Sequence, residues 1–347
     1  MKKDILSLFP EEIKAEFSSL PSYRAEQIFT WLHKGAKFEE MNNLPKDLRQ
    51  TLEENYYIAS PDIEQKYVSK LDGTVKYLFR LFDGQCIESV VMEYEHGNTI
   101  CISSQAGCKM GCKFCASTQA GFARNLTPSE MLGQVLVAQK DSGKHISNIV
   151  LMGIGEPLDN YDNVMKFLRL VSCEKGLNIG LRHISLSTCG LVDGIKKLTK
   201  EELPVTLSVS LHQSDDKERS EIMPVNNRWN IDQLLNACVA FFDETGRRIS
   251  FEYAVISDVN DNEKRAERLA RLLKGKFGKR PFHVNLIPVN KVEGTGFESR
   301  KNAASNFRDT LEKYGVNATV RRKLGSDINA SCGQLRRKVL ENTENTN

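Results

Sequence analysis

The sequence lacks any apolar run approaching the roughly 18 residues that would suggest a membrane span, and Met1-Lys-Lys-Asp opens it without an apolar signal segment. No membrane partner is expected, and the cytoplasm is the expected location. Charge of either sign is in no large excess. A net charge of +3 does not identify a nucleic-acid partner, so local basic clusters carry more information than the total. There is no internal repeat and no low-complexity linker, which excludes a repeat array. The nine cysteines are not laid out as a secreted disulfide framework: three are crowded and the rest dispersed, as in metal binding or thiol chemistry in a reducing compartment. What is present is ordinary in bulk. At 347 residues, 40% hydrophobic and 27% charged, the chain can bury a core as one large α/β domain plus a small accessory module.

Three short helices are predicted first, over 11–20, 23–34 and 46–54, with Ile28, Trp31 and Leu32 at helical spacing and Arg24, Lys34 and Lys37 nearby. This reads as a helical module with a basic face. From Asp62 to Ser103 the pattern changes to alternation rich in β-branched and aromatic residues, with turns at Asp83-Gly84 and His96-Gly97-Asn98, so sequential antiparallel strands are expected. The domain boundary is placed at residue 95. Beyond it strands and helices alternate in six βα units before a final strand at 317–321, the signature of a parallel sheet. Six units suit an open barrel better than a flat sheet, with chemistry at the carboxyl ends of the strands. The core is expected to run over 96–335 and the remainder, 336–347, to be a polar tail.

The residues that carry chemistry follow the predicted strands. Cys108-Lys-Met-Gly-Cys-Lys-Phe-Cys115 sets three thiols in a C-x3-C-x2-C spacing, with Gly107 and Gly111 to turn the backbone. A [4Fe–4S] cube takes thiolate ligands at four irons, and three cysteines leave one iron open. Zinc completed by a distant histidine or cysteine is the competing reading, but structural zinc sites usually pair one C-x2-4-C with another, and no second pair occurs. Gly153-Ile-Gly-Glu-Pro157 follows the second core strand and offers close backbone approach plus the acceptor Glu156; alone it reads equally as a glycine turn. Ser185-Leu-Ser-Thr188, Ser210-Leu-His212 and Asn285-Leu-Ile-Pro-Val-Asn290 close three further strands.

C-x3-C-x2-C with an aromatic before the last cysteine, followed by Gly-x-Gly-Glu, resembles the radical S-adenosylmethionine (SAM) enzymes. More narrowly, the run Cys101 to Cys115, Gly121-Phe-Ala-Arg-Asn-Leu-Thr127, Gly153 to Leu158, Ser210-Leu-His212 and Asp327-Ile-Asn-Ala-Ser-Cys-Gly-Gln-Leu335 resemble the RlmN/Cfr family of RNA methyltransferases, over almost the whole chain. That resemblance implies a partial (β/α)6 radical SAM barrel with a small N-terminal helical accessory domain and a β-hairpin extension, residues 1–95 serving RNA binding. Cys108, Cys112 and Cys115 would hold [4Fe–4S], and Gly155, Glu156, Ser187, Ser210, Leu211, His212 and Asn290 would line the SAM pocket. Cys332 would carry a methyl group as a thioether, a radical derived from a second SAM would activate it, and Cys101 would release the product by forming a disulfide with Cys332. Glu88 matches the family's proton acceptor. The implied substrates are adenosines of 23S rRNA and tRNA, methylated at C2, with an external flavodoxin-like or ferredoxin-like electron donor and a monomeric enzyme. The Cfr alternative methylates C8. Ser117-Thr118, Ile154 and Gln213 depart from the commonest family residues, and none is a cysteine. Arg321-Arg-Lys323 and Arg336-Arg-Lys338 flank Cys332, and Lys109, Lys113 and Arg124 flank the cysteine loop, where phosphates could be held. Cys86, Cys173, Cys189 and Cys238 read as small core hydrophobes.

Overall fold

A computed structural model describes residues 2–119, 121–289, 296–328, 330 and 335–336. The chain begins with β1 (Lys3–Asp4), α1 (Pro10–Glu16), α2 (Ser22–Leu32), α3 (Lys46–Asn55) and β2 (Tyr56–Tyr57), β1 and β2 pairing parallel. The three helices are those predicted from apolar spacing, shortened by Phe17 and His33, which cap the first two. Ile13, Ile28, Phe29 and Leu52 point into the same apolar core as the rest of the molecule. Polar contacts hold this module in place: Asp4 bonds the Ser129 hydroxyl, and Glu12 pairs with Lys166 at 2.9 Å.

The antiparallel strands follow as β3 (Asp62–Val68), β4 (Val75–Arg80), β5 (Cys86–Tyr94) and β6 (Gly97–Cys101). The expected division at residue 95 falls in the turn between β5 and β6, which pair directly, Tyr94 opposite Gly97. Next comes a hairpin that apolar alternation does not reveal, β7 (Gln105–Gly107) with β8 (Phe122–Asn125), enclosing the cysteine loop and the short α4 (Ala116–Gln119).

The alternating part runs α5 (Pro128–Ser142), β9 (Ile146–Leu151), α6 (Tyr161–Val171), β10 (Ile184–Thr188), α7 (Val192–Thr199), β11 (Thr206–Ser210), α8 (Asp216–Ile222), α9 (Ile231–Thr245), β12 (Ile249–Val255), α10 (Glu263–Phe277), β13 (Phe282–Pro288), α11 (Ala303–Lys313) and β14 (Ala318–Val320). Strand order in the main sheet is β14-β13-β12-β11-β10-β9-β6-β5-β4-β3. From β6 to β14 every pairing in the main sheet is parallel and follows chain order, the β7–β8 hairpin between β6 and β9 forming a separate sheet, so six crossovers build the open barrel the repeat of βα units predicted. Capping explains the sharp start of α5: Thr127 accepts from the Glu130 amide, Glu130 returns a bond to the Thr127 amide, and Pro128 occupies the first turn. No helix among the described residues is long and apolar enough to cross a membrane.

Among the described residues one ion pair lies wholly inside. Lys76 on β4 and Glu88 on β5 are both fully buried and meet at 3.0 Å. Breaking such a pair strands a charge, whereas replacing both members with apolar groups is often tolerated. Lys76→Met is therefore expected to lower the unfolding free energy by about 3–5 kcal/mol, and Lys76→Met/Glu88→Met to recover only part of the loss, because the buried Arg336 amide then loses its Glu88 acceptor, as read by urea denaturation. A glycine pair gives a second prediction. On α5, a Cβ at Gly133 would lie 2.6 Å from Pro61 Cδ and 3.0 Å from the Ala59 carbonyl, whereas Gly275 on α10 faces open space. Gly275→Ala should stabilise by about 0.5–1 kcal/mol, and Gly133→Ala should reverse that sign, costing about 1–3 kcal/mol, in the same assay.

Candidate active site

Two adjoining cavities open at the carboxyl ends of the parallel strands. The larger, about 310 Å3, has Cys108, Cys112 and Cys115 on one wall and Gly155, Glu156, Ser187, Ser210 and His212 around it. The smaller, about 240 Å3, contains Cys101 with Val90, Met92, Arg322 and Lys323. Met152, Ile287, Pro288 and Arg321 belong to both, so one wall separates and joins the two spaces.

The cysteine loop is shaped by close approaches. Gly107 has φ +87°, and a Cβ there would fall 1.8 Å from the Gly121 carbonyl across the β7–β8 hairpin. The Thr118 hydroxyl donates to the carbonyls of Cys115 and Cys112, and the Lys113 amide donates to Ile222 at 3.0 Å, which fixes the loop against α8. Burial pushes the Cys108 thiol up to about 12 and the Cys112 thiol further in the same direction, each reinforced by the neighbouring cysteines. Such thiols ionise only beside a cation. Among the described residues no three His, Cys, Asp or Glu side chains gather round a single ion. Three separated thiols on a cavity wall suit a cube, whose irons each take their own thiolate. The all-sulfur donor set therefore fits an iron–sulfur cluster.

The Gly-x-Gly-Glu loop also owes its sequence to contact. A Cβ at Gly153 would sit 2.5 Å from the Ile102 carbonyl, and one at Gly155, which has φ +109°, 2.6 Å from Gln105 Cβ. Gln105 accepts from the Glu156 amide at 2.8 Å, tying this loop to β7. The buried Glu156 carboxylate accepts from the Leu158 amide at 3.0 Å and the Cys189 amide at 2.7 Å. Burial raises its pKa against the pull of those bonds. His212 has φ +57°; its Nδ1 accepts from the Ala254 amide at 2.9 Å, so a neutral ring carries its proton on Nε2. Burial and the Arg219 charge lower its pKa to about 3. Its ring meets Phe114 of the cysteine loop edge-on at 4.9 Å.

Leu211 differs from its expected place: its side chain is in the apolar core, and it reaches the site only through its backbone, which bonds the Glu252 carbonyl and accepts from Arg219. Asn290 and Cys332 lie outside the described residues. Cys101 is buried among Val90, Met92, Met152, Leu324 and Ala330. Glu88 lies on the same face of β5 as Val90 and Met92; besides Lys76 it accepts from the Arg336 amide at 2.9 Å. The β3–β4 turn holds the preceding stretch, the Ser69 hydroxyl and Lys70 amide donating to Asp327 at 2.6 and 2.9 Å and the Gly325 amide to Asp72 at 2.8 Å.

Four site residues escaped sequence reasoning. Cys189, read as a core hydrophobe, lines the larger cavity and packs on Cys112. Glu252 lines the same cavity, accepts from Asn285 at 2.8 Å and has its pKa raised by burial; a lone acid in the apolar run Ile249–Val255 was the available signal. Lys76 interrupts β4 in the same way. Arg219 is fully buried on α8, a helix too short for periodicity to mark.

The family model for the radical SAM superfamily matches residues 102–270, and that for the ribosomal RNA large subunit methyltransferase N-terminal domain matches residues 4–58. A probable dual-specificity RNA methyltransferase RlmN of Clostridium botulinum (strain Eklund 17B / Type B) is 53% identical over 346 residues, 99% of either chain. One of Clostridium tetani is 53% identical over 92% of this chain and 91% of its own. The crystal structure of a radical SAM methyltransferase from Sphaerobacter thermophilus superposes with a TM-score of 0.90 at 40% identity, covering 96% of this chain and 98% of that one. With both family models matched and 53% identity to a relative over 99% of either chain, this chain belongs to the RlmN family of the radical SAM superfamily.

Proposed function

We propose that this chain methylates C2 of adenosine in 23S rRNA and tRNA, with Cys332 as methyl carrier and Cys101 as the thiol that releases the product. The carrying observation is the shared wall: the cavity beside the three cysteines adjoins the cavity of Cys101 across Met152, Ile287, Pro288 and Arg321. Ala330 and Arg336, described residues on either side of Cys332, contact Cys101's apolar surroundings and Glu88 respectively. That pairing supports a reaction in which a group made at the first cavity is used in the second.

Cys108, Cys112 and Cys115 hold [4Fe–4S], and Gly155, Glu156, Ser187, Ser210, His212 and Asn290 surround SAM, with Leu211 contributing backbone. The cluster and SAM, when bound, supply the carbon radical that an unactivated C2 requires, since that carbon is not nucleophilic. The chain's own residues do the rest. The Gly153 and Gly155 contacts hold the Glu156 loop against β7, and His212 Nε2 offers a neutral donor. Exposed Arg322 and Lys323 at the rim of the second cavity suit phosphates flanking an unstacked adenine. Cys332 bears the methyl as a thioether; one hydrogen atom of that methyl would pass to the SAM-derived radical, the methyl carbon would bond C2, and the one surplus electron would return to the cluster. Glu88 or Cys101 takes the proton that leaves C2. The Cys101 thiolate then attacks the Cys332 sulfur, breaking its bond to carbon, which keeps the electron pair and takes up a proton to complete the methyl group, and leaving a disulfide that an external reductant reopens. An electron donor of the flavodoxin or ferredoxin class, a monomeric state and a cytoplasmic location complete this reading.

Anaerobically reconstituted protein with SAM and a reductant should yield 2-methyladenosine in digests of 23S rRNA and tRNA, read by mass spectrometry against authentic standards. Finding only 8-methyladenosine would replace this reading with the Cfr-type one, and no methyladenosine from cluster-loaded protein would remove it. Cys101→Ala should leave the chain covalently joined to RNA through Cys332, visible as a retarded band on a denaturing gel; normal release of methylated RNA by that variant would rule out Cys101 as the resolving thiol.

A further inference from the structure

Arg219 on α8 is completely buried. Its guanidinium donates from Nε to the Leu211 carbonyl at 3.0 Å, from Nη1 to Asn226 Oδ1 at 3.0 Å, and from Nη2 to the carbonyls of Cys189 and Ser210 at 2.8 and 3.0 Å. Every one of these acceptors is neutral. Buried charges are normally paired with an opposite charge, because neutral hydrogen bonds do not replace the hydration that is lost. Cys189, whose carbonyl takes one of these bonds, packs on Cys112 in the wall of the larger cavity. Cys112 belongs to the three-cysteine loop and packs with Cys189, Ile222 and Met223 beside α8, so a metal-bound thiolate there would bring a negative charge next to the Arg219 site.

We infer that Arg219 is the fixed counter-charge of the thiolate-bound iron–sulfur cluster and raises its midpoint potential. The inference rests on the cluster assignment made above. Taking up one electron makes a thiolate-bound cluster one charge more negative, and a buried cation beside it favours that state, net charge being one of the factors that set cluster potentials. Arg219 acts through the thiolates and the ends of β10 and β11, so it is a positioning and electrostatic residue. Its hydrogen bonds alone would make it only a brace between those strand ends. Charge and bracing are separable, because lysine keeps the first and loses most of the second.

The test uses the full chain, reconstituted anaerobically with iron and sulfide, with the cluster potential followed by electron paramagnetic resonance during a redox titration without SAM. Arg219→Gln should disfavour reduction at least tenfold, a fall of about 59 mV for one electron, while Arg219→Lys stays near the parent value. A parental potential in Arg219→Gln, or an equal fall in Arg219→Lys, overturns the inference. Should neither variant load a cluster, Asn226→Asp keeps Arg219 and gives it a carboxylate, with Asn226→Ala as the neutral control. A lower potential in Asn226→Asp than in Asn226→Ala supports the counter-charge, and equal potentials overturn it. Failure of the parent chain to take up iron and sulfide would remove the cluster assignment itself, and the inference with it.

Discussion

The site depends on how β6 is paired. On one side it is antiparallel to β5, with Cys101 opposite Val90; on the other it is parallel to β9, with Cys101 opposite Val150. That double pairing makes one sheet out of the hairpin extension and the barrel. Residues facing the same way on β5 and β6 share a surface by the two-residue period of a strand, so Glu88, Val90, Met92 and Cys101 line up together. A slip of one residue would turn the whole set to the opposite face. The chain leaves β6 and within a few residues reaches the cysteine loop, so the same register sets the distance between the two cavities.

From this seam the role of the extension follows. The β3–β4 turn holds Asp327 and Gly325, and β5 holds Arg336, so the hairpins grip the chain on both sides of residue 332. Lys76 and Glu88 allow that grip inside an apolar layer, because each neutralises the other and Glu88 still has an oxygen for the Arg336 amide. A polar anchor in such a place is specific in direction, where an apolar contact would not be. The extension is thus part of the framework that holds the chain on either side of residue 332.

Charge in the larger cavity obeys the same economy. Glu156 is stabilised by two backbone amides, His212 is kept neutral, and Glu252 is shared with Asn285. Arg219 has only neutral acceptors among the described residues.

Local pattern by itself determined the helices, the strands and the cysteine loop. Thr127, Pro128 and Glu130 carry in local sequence the capping box that starts α5, alternation between two turn signals marks β5, and C-x3-C-x2-C raises the expectation of a metal because three thiols in eight residues have few other uses. The two glycines of Gly153-Ile-Gly-Glu were visible as a motif, but their reason was not, since the atoms they make room for belong to Ile102 and Gln105. Tertiary structure alone decided that Leu211 turns into the core, that Cys189 faces the cluster loop, and that Glu252, Lys76 and Arg219 are buried. The physical reason is common to all five: burial is set by residues distant in the chain, and a charged residue in a strand or short helix looks exposed until its packing partners are known. Tertiary structure also brought Cys101 and the cysteine loop to neighbouring cavities, a relation that depends on the pairing of β6 with β9 across a 15-residue helix and that no local spacing encodes.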